Sequence, residues 1–499
     1  MYRWGRDGKW IRYGYGKIRE MEVQNLKIWN RDNTAIVFLF LILAFTVYGL
    51  SNNYYSLLII GPSLFLFFKS NNDYFWLAFF TLIFFHPIGL FSEATSTATH
   101  RLPLLTLISG FSFSTEDVIL IVIVLKALLR SEWKFNILNK PLKLIFFYAL
   151  LLILIAKLVH QTSLSIMINQ IRDFSYFFLI IGYNNLIKNE EQFFKMIMLI
   201  LPFVFLNLID AFYFFSTGDY LMSIIYPDHE LRYATLGLQT GSGFNARYLT
   251  PSFILILFSL IGALVINSFS NNKNKIYLFL VACLSYFIIV ITGTRSWSVI
   301  AGFVMIGYIF KTFKSSKIAY IIVVALLLIP GYHFISKTHV AEGVSSAFQR
   351  IGSLSTIGNQ ESMATQSIEY KMATHMKRDI ENIKKNPLTG WGFTEIKGGE
   401  DAGNFGLIAE VGFVGFILFV FFWIRITILL RWGIKQKMIP RVYREMFYLL
   451  LLVFIGLLIS HFTTNRIFGL MYFPVFLSLF IVMINKVWLG AYTYYKESS

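Results

Sequence analysis

Charged residues are scarce in this sequence. Only 14% of the 499 residues are charged, whereas 56% are hydrophobic, and the mean hydropathy is +0.62. A soluble domain is usually about one quarter charged, so the composition indicates a polytopic membrane protein. The apolar runs are long and continuous rather than alternating, which excludes a β-barrel. At roughly 20 residues per span, the chain has room for an all-α bundle of about 14 transmembrane helices.

Cysteine is almost absent, since Cys283 is the only one. A single thiol in an apolar run excludes an intramolecular disulfide, a cysteine metal cluster and a redox pair. No cleavable signal peptide is visible, because residues 1–33 are basic and polar and the apolar run after them is long enough to be a genuine span.

Acidic residues are outnumbered, with 27 Asp and Glu against 44 Lys and Arg, for a net charge of +17. In a membrane protein such an excess gathers in cytoplasmic loops and at anionic lipid headgroups. Nucleic acid is therefore not an expected partner, whereas membrane lipids are.

The hydropathy pattern predicts fourteen spans that alternate across the membrane. Short basic loops all fall on one side when the basic N-terminal tail, residues 1–33, is cytoplasmic, so both termini are expected there. Spans 1–11 occupy residues 34–335, a large extracytoplasmic loop covers 336–403, spans 12–14 occupy 404–485, and a cytoplasmic tail covers 486–499. The predicted spans are 34–50, 53–69, 74–91, 116–130, 142–159, 172–187, 193–215, 249–268, 276–291, 297–311, 318–335, 404–425, 446–463 and 467–485.

Six arginines lie on the side where the positive-inside rule predicts few. An arginine near the end of an apolar span costs free energy and is usually paired or functional. Because the guanidinium fork matches phosphate oxygens, six arginines at one face suggest a polyanionic, phosphate-bearing ligand. These residues are Arg101, Arg172, Arg232, Arg247, Arg295 and Arg466.

Three polar motifs are candidates for chemistry at that face. The turn at 292–298, TGTRSWS, has the glycine, hydroxyls and arginine of a diphosphate clamp, but also suits an ordinary hairpin turn. The segment 231–247 is Gly-rich with two arginines, and also suits a flexible connection. The third, 387–415, reads PLTGWGFTEIKGGEDAGNFGLIAEVGFVG. There Glu410 also fits a helix-dipole role, and Gly412 and Gly415 also fit close helix packing.

The large loop contains a candidate amphipathic helix at 368–385. Apolar residues recur there with a period of 3.6, and basic residues occupy the other faces. We expect a helix on the membrane plane, its basic side toward headgroups or an anionic substrate, although a helix that only packs over the bundle fits the same pattern. The candidate acceptor or headgroup residues of the loop region are Lys371, Arg378, Trp391 and Asn404.

The order and spacing of these motifs resemble the O-antigen polymerase and O-antigen ligase superfamily of bacterial membrane glycosyltransferases. The resemblance covers about residues 231–425, and its most specific block is PLTGWGF…AEVGFVGF. It implies a GT-C-like bundle in the bacterial cytoplasmic (inner) membrane that transfers a glycan from undecaprenyl diphosphate at the outer face. A chain-length regulator is a further implied partner. Neither nucleotide sugar, metal nor cofactor is implied, which agrees with the lack of an outward Asp-x-Asp pair.

The resemblance also implies roles for particular residues. Arg295 matches the arginine of the family's Gly-Ser-Arg turn and would hold the diphosphate. Arg232 or Arg247 would be the second diphosphate arginine, and Arg172 is a further candidate. Ligases usually carry a His-Asn pair nine residues before the glutamate of Glu-x-Gly, where this chain has Asp401.

That departure favours a repeat-unit polymerase over a lipid-A-core ligase. The candidate catalytic carboxylates are Asp401, Glu395, Glu400 and Glu410, with the base left open among the first three. A ligase or protein O-oligosaccharyltransferase remains the first alternative. A peptidoglycan-type polymerase is less well supported because that family's motifs are not visible.

A flippase or other transporter is the alternative from another class. Transporters tend to carry ionisable residues near the membrane midplane, or paired broken helices. The predicted spans offer few such residues, since His86, Lys126, Lys157 and Asp210 fall toward span ends, and no inverted repeat is visible.

Overall fold

The computed structural model describes twelve stretches of the chain. The described residues are 2–4, 10–12, 53–85, 103–108, 111–130, 139–217, 253–269, 272–292, 295–312, 369–396, 403–463 and 473–498. Fifteen α-helices lie in these ranges, and two short antiparallel hairpins accompany them. The hairpins pair β1 (Tyr2–Trp4) with β2 (Trp10–Arg12) and β3 (Pro103–Ile108) with β4 (Phe111–Ser114).

The helices are numbered here in chain order. They are α1 (Asn53–Lys69), α2 (Asp73–Phe85), α3 (Thr115–Arg130), α4 (Asn139–Leu158), α5 (Leu164–Ser175), α6 (Leu179–Leu186), α7 (Glu190–Ile200), α8 (Phe203–Thr217), α9 (Phe253–Asn267), α10 (Asn272–Ile291), α11 (Arg295–Thr312), α12 (Lys377–Lys385), α13 (Asn404–Lys435), α14 (Arg441–Thr463) and α15 (Phe473–Ser498). A 3₁₀ turn, Tyr176–Phe178, joins α5 to α6, and a π-helical segment, Lys371–Met376, leads into α12.

The expected helical membrane bundle is confirmed in its coarse form. Within the described ranges, six helical stretches are long and apolar enough to cross a membrane, or seven if a bent pair counts as one span. They are Lys140–Leu158, Glu190–Phe214, Asn274–Ile291, Asn404–Lys435, Arg441–His461 and Phe473–Lys496. The predicted spans 34–50 and 318–335 lie outside the described residues, so the count of fourteen stays a prediction.

Two predicted spans differ in shape from the structure. The span predicted at 172–187 begins earlier, at Leu164, where Ser163 caps the helix by accepting from the Ile166 N–H, and it bends by 42° between Arg172 and Tyr176. The span predicted at 404–425 is broken at Gly412, whose φ and ψ are 66° and 179°. The first break coincides with the 3₁₀ turn, and the second with a glycine in the left-handed region.

The last helix also extends further than predicted. It continues through residue 498, where the sequence predicted a tail from 486. Lys486 is 2% exposed and its ammonium donates to the Asn184 carbonyl oxygen at 2.8 Å and to that of Ile187, so it caps the C-terminal end of α6. These two carbonyl oxygens replace the water molecules that would hydrate the ammonium group of a lysine in an exposed tail.

Contacts between helix ends fall into two sets. One set joins Lys126 of α3 to Asp73 of α2, and Tyr443 of α14 to Glu190 of α7. The other joins Arg172 of α5 to Asp117 of α3 at 3.0 Å. In every one of these pairs, the alternating topology predicted from sequence places both partners on the same side of the membrane.

The space between the two ends is filled with apolar side chains in one continuous core. Aliphatic residues make up most of it, and aromatic residues add to it, with Phe79, Phe80, Phe84 and Phe85 of α2 all fully buried against neighbouring helices. Elsewhere, α4 exposes a stripe of leucines and Phe147, which is 70% exposed. An apolar stripe of this kind suits contact with lipid acyl chains, where it costs no hydration free energy.

Candidate functional site

The candidate site is built around an interlock, by which we mean the backbone pairing of the turn 387–392 with the break in α13. Trp391 N–H donates to the Ala409 carbonyl at 2.9 Å, and Gly392 N–H donates to that of Glu410 at 2.6 Å. In return, the N–H groups of residues 413 and 414 donate to the carbonyls of Pro387 and Leu388, at 2.9 and 3.2 Å. A helix break normally leaves such groups without partners, and here the turn supplies them.

Glycine is required at two positions of the interlock. Gly390 and Gly412 have φ of 64° and 66°, a region that costs other L-residues roughly 1–2 kcal/mol. A Cβ on Gly390 would lie 2.5 Å from both the Glu410 oxygen and the Gly412 nitrogen, and one on Gly412 would collide with the Leu388 carbonyl. Close backbone approach and left-handed geometry therefore both select glycine here.

Helix α4 holds the break from a third direction. The hydroxyl of Tyr148 donates to the Val411 carbonyl at 2.7 Å. Gly415, one turn further along α13, allows this approach, since a Cβ there would lie 2.6 Å from a ring carbon of Tyr148. The predicted packing role of Gly415 is consistent with this contact, whereas Gly412 acts through its backbone conformation.

A small, open-sided pocket lies beside the interlock. Its walls come from α4, α5, the turn and both parts of α13. Polar groups are contributed by Glu410, Gln170 and Tyr148, and the rest of the lining is apolar. The lining residues are Ile145, Tyr148, Ala149, Leu152, Gln170, Phe174, Gly392, Phe393, Glu410, Val411, Gly415, Leu418 and Phe419.

Glu410 is the predicted carboxylate that the structure places in this pocket. It is 9% exposed and occupies the end of the short helical segment 404–411. Sequence reasoning placed it near the N-terminal end of a continuous helix, where the helix dipole would stabilise its charge. The break corrects that interpretation, because Glu410 lies at the C-terminal end of its own segment, where the dipole opposes a negative charge.

The other candidate bases lie on the loop between the turn and α13. Glu395 is exposed and lies two residues after Phe393, which lines the pocket. Glu400 and Asp401 lie outside the described residues. Gly392 and Glu410 are joined by a backbone hydrogen bond, so the segment between them, which carries these carboxylates, begins and ends beside the pocket.

The candidate diphosphate arginines are described only in part. Arg172 is mostly buried, and its guanidinium contacts the Asp117 carboxylate on α3. Arg295 is the first residue of α11, but its side chain lies outside the described residues, as do Arg232 and Arg247. Arg172 therefore has a carboxylate partner that a phosphate would have to share.

The four candidate acceptor or headgroup residues are separated along the loop. Trp391 belongs to the interlock, and its indole N–H donates to the Asn382 carbonyl at 3.1 Å. Arg378 is on the exposed side of α12, with its Nε 3.4 Å from the buried carboxylate of Asp379. Asn404 starts α13, and its side-chain oxygen is buried without a hydrogen-bond partner in the described part of the chain. Lys371 is in the π-helical segment, and its side chain lies outside the described residues.

Three residues near the site were not singled out from the sequence. Tyr148 and Gln170 line the pocket, and His160 contacts the turn through Asn386 and Trp391. A polar residue within an apolar run is a signal that was available for Tyr148 and Gln170. No local signal connects His160 to a turn more than 220 residues later in the chain.

Neither a protein-family model nor a curated protein matches this sequence. The resemblance to the O-antigen superfamily therefore stays a prediction drawn from its motifs.

Proposed function

We propose that this protein is a polysaccharide repeat-unit polymerase of the O-antigen, capsule or exopolysaccharide type. It would transfer a glycan from undecaprenyl diphosphate to the acceptor sugar of another lipid-linked repeat unit. One observation carries the proposal: the two halves of the motif block, PLTGWGF and AEVGFVGF, are joined by backbone hydrogen bonds into one unit beside a pocket. Segments that resemble a family's signature thereby meet beside this pocket.

The pocket suits a substrate that is part lipid and part sugar. Its apolar walls and open side suit an isoprenoid chain that enters from the bilayer, and its polar groups lie together at the interlock. The segment 413–435 is about 34 Å long at 1.5 Å per residue, which matches the roughly 30 Å hydrocarbon core. The interlock and Glu410 then lie near one membrane surface, which the positive-inside rule assigns to the extracytoplasmic face.

The proposed reaction is a single displacement at the anomeric carbon. The acceptor hydroxyl oxygen forms a bond to C1 of the donor glycan while the bond from C1 to the lipid diphosphate breaks. The diphosphate leaves with the electron pair, and arginines such as Arg295 stabilise its developing charge. The carboxylate takes the proton of the hydroxyl. Inversion at C1 follows, and positioning two lipid-linked chains at one membrane face supplies much of the rate.

We propose Glu410 as the carboxylate that takes the proton. It is the one candidate carboxylate in the described residues that lines the pocket, and its backbone is fixed on both sides by the interlock. Glu395 is exposed and lies on a loop, which gives it less positional restraint. Asp401 and Glu400 are the alternatives that the experiment below separates from Glu410.

A transporter is the second candidate, because the structure contains a broken helix and a bent helix pair. Transporters use the free carbonyls of such breaks to coordinate ions. Here the carbonyls of residues 409, 410 and 411 accept hydrogen bonds from Trp391, Gly392 and Tyr148. Their engagement favours a structural role for the break in α13 and therefore favours the enzyme.

The deciding experiment is a reaction with purified protein in detergent and an undecaprenyl-diphosphate-linked repeat unit, without nucleotides or added metal. A ladder of lengthening products on a gel is expected. Transfer only to an added lipid-A core or peptide would instead identify a ligase or O-oligosaccharyltransferase. Absence of consumption together with uptake into liposomes would identify a transporter.

The Glu410→Gln variant tests the base in that reaction. Because a general base contributes about 10²–10⁴-fold, we expect the rate to fall at least about 100-fold. Glu445→Gln is the matched control, a partly buried carboxylate on another membrane helix, paired with Arg441 at 2.7 Å. A normal rate in Glu410→Gln combined with a loss in Asp401→Asn, Glu400→Gln or Glu395→Gln would transfer the role to that residue.

A further inference from the structure

A second cluster contacts the turn outside the lining of the pocket, and no step of the proposed mechanism uses it. Its members are His160, Asn386 and Trp391, all of them partly exposed. The imidazole and indole rings lie 5.3 Å apart between centroids and are inclined by 35°. The Asn386 amide nitrogen lies 3.3 Å from Nε2 of His160.

The turn at the end of helix α4 brings His160 to this cluster. Helix α4 ends in a wide turn in which the His160 N–H donates to the Ile155 carbonyl and the Thr162 N–H donates to that of Ala156. Between them Gln161 has φ of 50°, the one left-handed residue other than glycine in the described part of the chain. A left-handed residue combined with a hydrogen bond across six residues is a common way for a helix to end, and here it places His160 against the turn 386–391.

The hydrogen bonds within this cluster determine which of its polar atoms are available to a ligand. An amide nitrogen can only donate, so the Asn386 amide donates to Nε2 of His160, which leaves Nδ1 as the donor of the ring. The Trp391 indole N–H is already engaged with the Asn382 carbonyl, which fixes the plane of the ring. In the described residues, Nδ1 of His160 and the side-chain oxygen of Asn386 have no protein partner. The cluster therefore offers one donor, one acceptor and an aromatic surface.

We propose that His160, Asn386 and Trp391 form a saccharide subsite that binds a sugar ring of the reacting lipid-linked oligosaccharide. A pyranose has a C–H face that packs on an aromatic ring, whose face is electron-rich. Its hydroxyls both donate and accept, which matches the two polar atoms of the cluster. This proposal rests on the proposed function for the identity of the oligosaccharide.

The position of the subsite fits a glycan that reacts in the pocket. Leu152 lines the pocket, and α4 continues for six more residues, roughly 9 Å at 1.5 Å per residue, before the turn that carries His160. Trp391 and Gly392 are adjacent in the turn and donate to the adjacent carbonyls of Ala409 and Glu410. A saccharide that starts at Glu410 therefore reaches the cluster by extending away from the bilayer.

The test separates donor from acceptor sugars by using two probes. One is the undecaprenyl-diphosphate-linked repeat unit extracted from the producing cells, and the other is the oligosaccharide released from it by mild acid, which can act only as an acceptor. In His160→Ala and Trp391→Leu we expect the KM for one probe to rise about tenfold with kcat nearly unchanged. A rise for the released oligosaccharide assigns the subsite to the acceptor, and a rise for the lipid-linked probe alone assigns it to the donor.

Direct binding of the radiolabelled released oligosaccharide to purified protein gives a readout that needs no turnover. Binding that the two variants weaken would support the subsite even if no polymer were made, so the two proposals can fail separately. His375→Ala is the matched control, because the His375 ring makes an edge-to-face contact with Tyr370, at 5.8 Å between centroids, on the same loop but outside the cluster.

Two further variants test the proposal independently if Trp391→Leu disturbs the fold. His160→Gln keeps an acceptor for Asn386 but removes the ring, and Trp391→Phe keeps an aromatic face without the indole N–H. Partial recovery of the KM in both is expected. Unchanged KM values for both probes in His160→Ala, or a loss confined to kcat, would overturn the proposal.

Discussion

Buried charged side chains in this protein are paired with specific partners. Lys126 is 1% exposed and is surrounded by the Asp73 carboxylate, the Phe67 carbonyl and the face of the Phe67 ring. A buried charge without such partners would cost several kcal/mol. Arg172 with Asp117 follows the same rule at the opposite ends of the helices. An arginine whose partner is the substrate itself should therefore differ in its response to mutation.

Arg295 is the residue for which that difference is expected. It starts α11 immediately after the TGT turn, and we place it on the leaving diphosphate. Arg295→Ala should lower polymerisation at least about 100-fold, the loss typical of removing one donor to a developing charge. Membrane levels of the protein should stay normal, as judged by immunoblot.

The control for this prediction is Arg441→Ala, since the Arg441 side chain is 64% exposed and its partner is Glu445. Exposed ion pairs contribute little to stability, so this variant should polymerise normally. Normal polymer from Arg295→Ala would remove Arg295 from the site.

At the scale of elements, the interlock explains how a polar turn is attached to an apolar helix. Four hydrogen bonds join the turn to the two parts of α13, and Tyr148 adds a fifth from α4. In the low-dielectric surroundings of a membrane, an unmade backbone hydrogen bond costs several kcal/mol. The break is therefore stable only as long as the turn is docked.

Gly412→Ala tests this dependence. The new methyl group would collide with the Leu388 carbonyl in a left-handed conformation, so we expect a destabilisation of about 3 kcal/mol or more from backbone strain and overpacking together. The midpoint of thermal unfolding in detergent should fall, and polymerisation should be lost.

Gly61→Ala is the matched control, because a Cβ on Gly61 of α1 would meet nothing within 4 Å. That substitution should leave the midpoint unchanged or raise it, since alanine favours a helix by about 1 kcal/mol over glycine. An unaltered midpoint in Gly412→Ala would mean that the interlock is not required for stability.

Sequence reasoning predicted helices well and their breaks poorly, for a physical reason. Apolar runs report that a segment is buried in lipid or protein, and the helices at 53–69 and 116–130 follow from that directly. The run at 404–425 continues with apolar residues on both sides of Gly412, so hydropathy does not indicate the break. A glycine in such a run equally suits helix packing, which was one of the roles considered for it.

The site was predictable only where its parts are close in sequence. The motif at 387–415 contains the turn, Glu410 and Gly412, and its halves do meet. Tyr148 contacts Val411 across 263 residues, and His160 contacts Asn386 across 226. Pairings of that separation depend on how the helices pack, which local periodicity does not encode.

On the scale of the whole molecule, helix-end contacts constrain the topology. Aromatic rings join Trp297 of α11 to Phe253 of α9 and to Phe473 of α15, at 5.2 and 5.9 Å. These are the starts of three helices that the alternating topology directs inward from the outer face. Lys486, Glu190 and Tyr443 meet in the same way at the opposite ends. Each set of contacts therefore agrees with an even number of membrane crossings between the residues that meet in it. The distribution of basic loops assigns the aromatic contacts of Trp297 to the outside.

Cys283 makes that assignment measurable, because replacing one residue removes every thiol from the chain. In a Cys283→Ala background, Lys384→Cys and Lys437→Cys place single thiols at two exposed lysine positions, on α12 and on the connection between α13 and α14. A membrane-impermeant maleimide added to intact spheroplasts should label the first and not the second, and both after permeabilisation. The reverse pattern would put the interlock, Glu410 and the saccharide subsite in the cytoplasm, where an extracytoplasmic glycan carried on undecaprenyl diphosphate could not reach them. Because every proposed step uses a substrate at one membrane face, this labelling pattern decides whether the site and its substrate can meet.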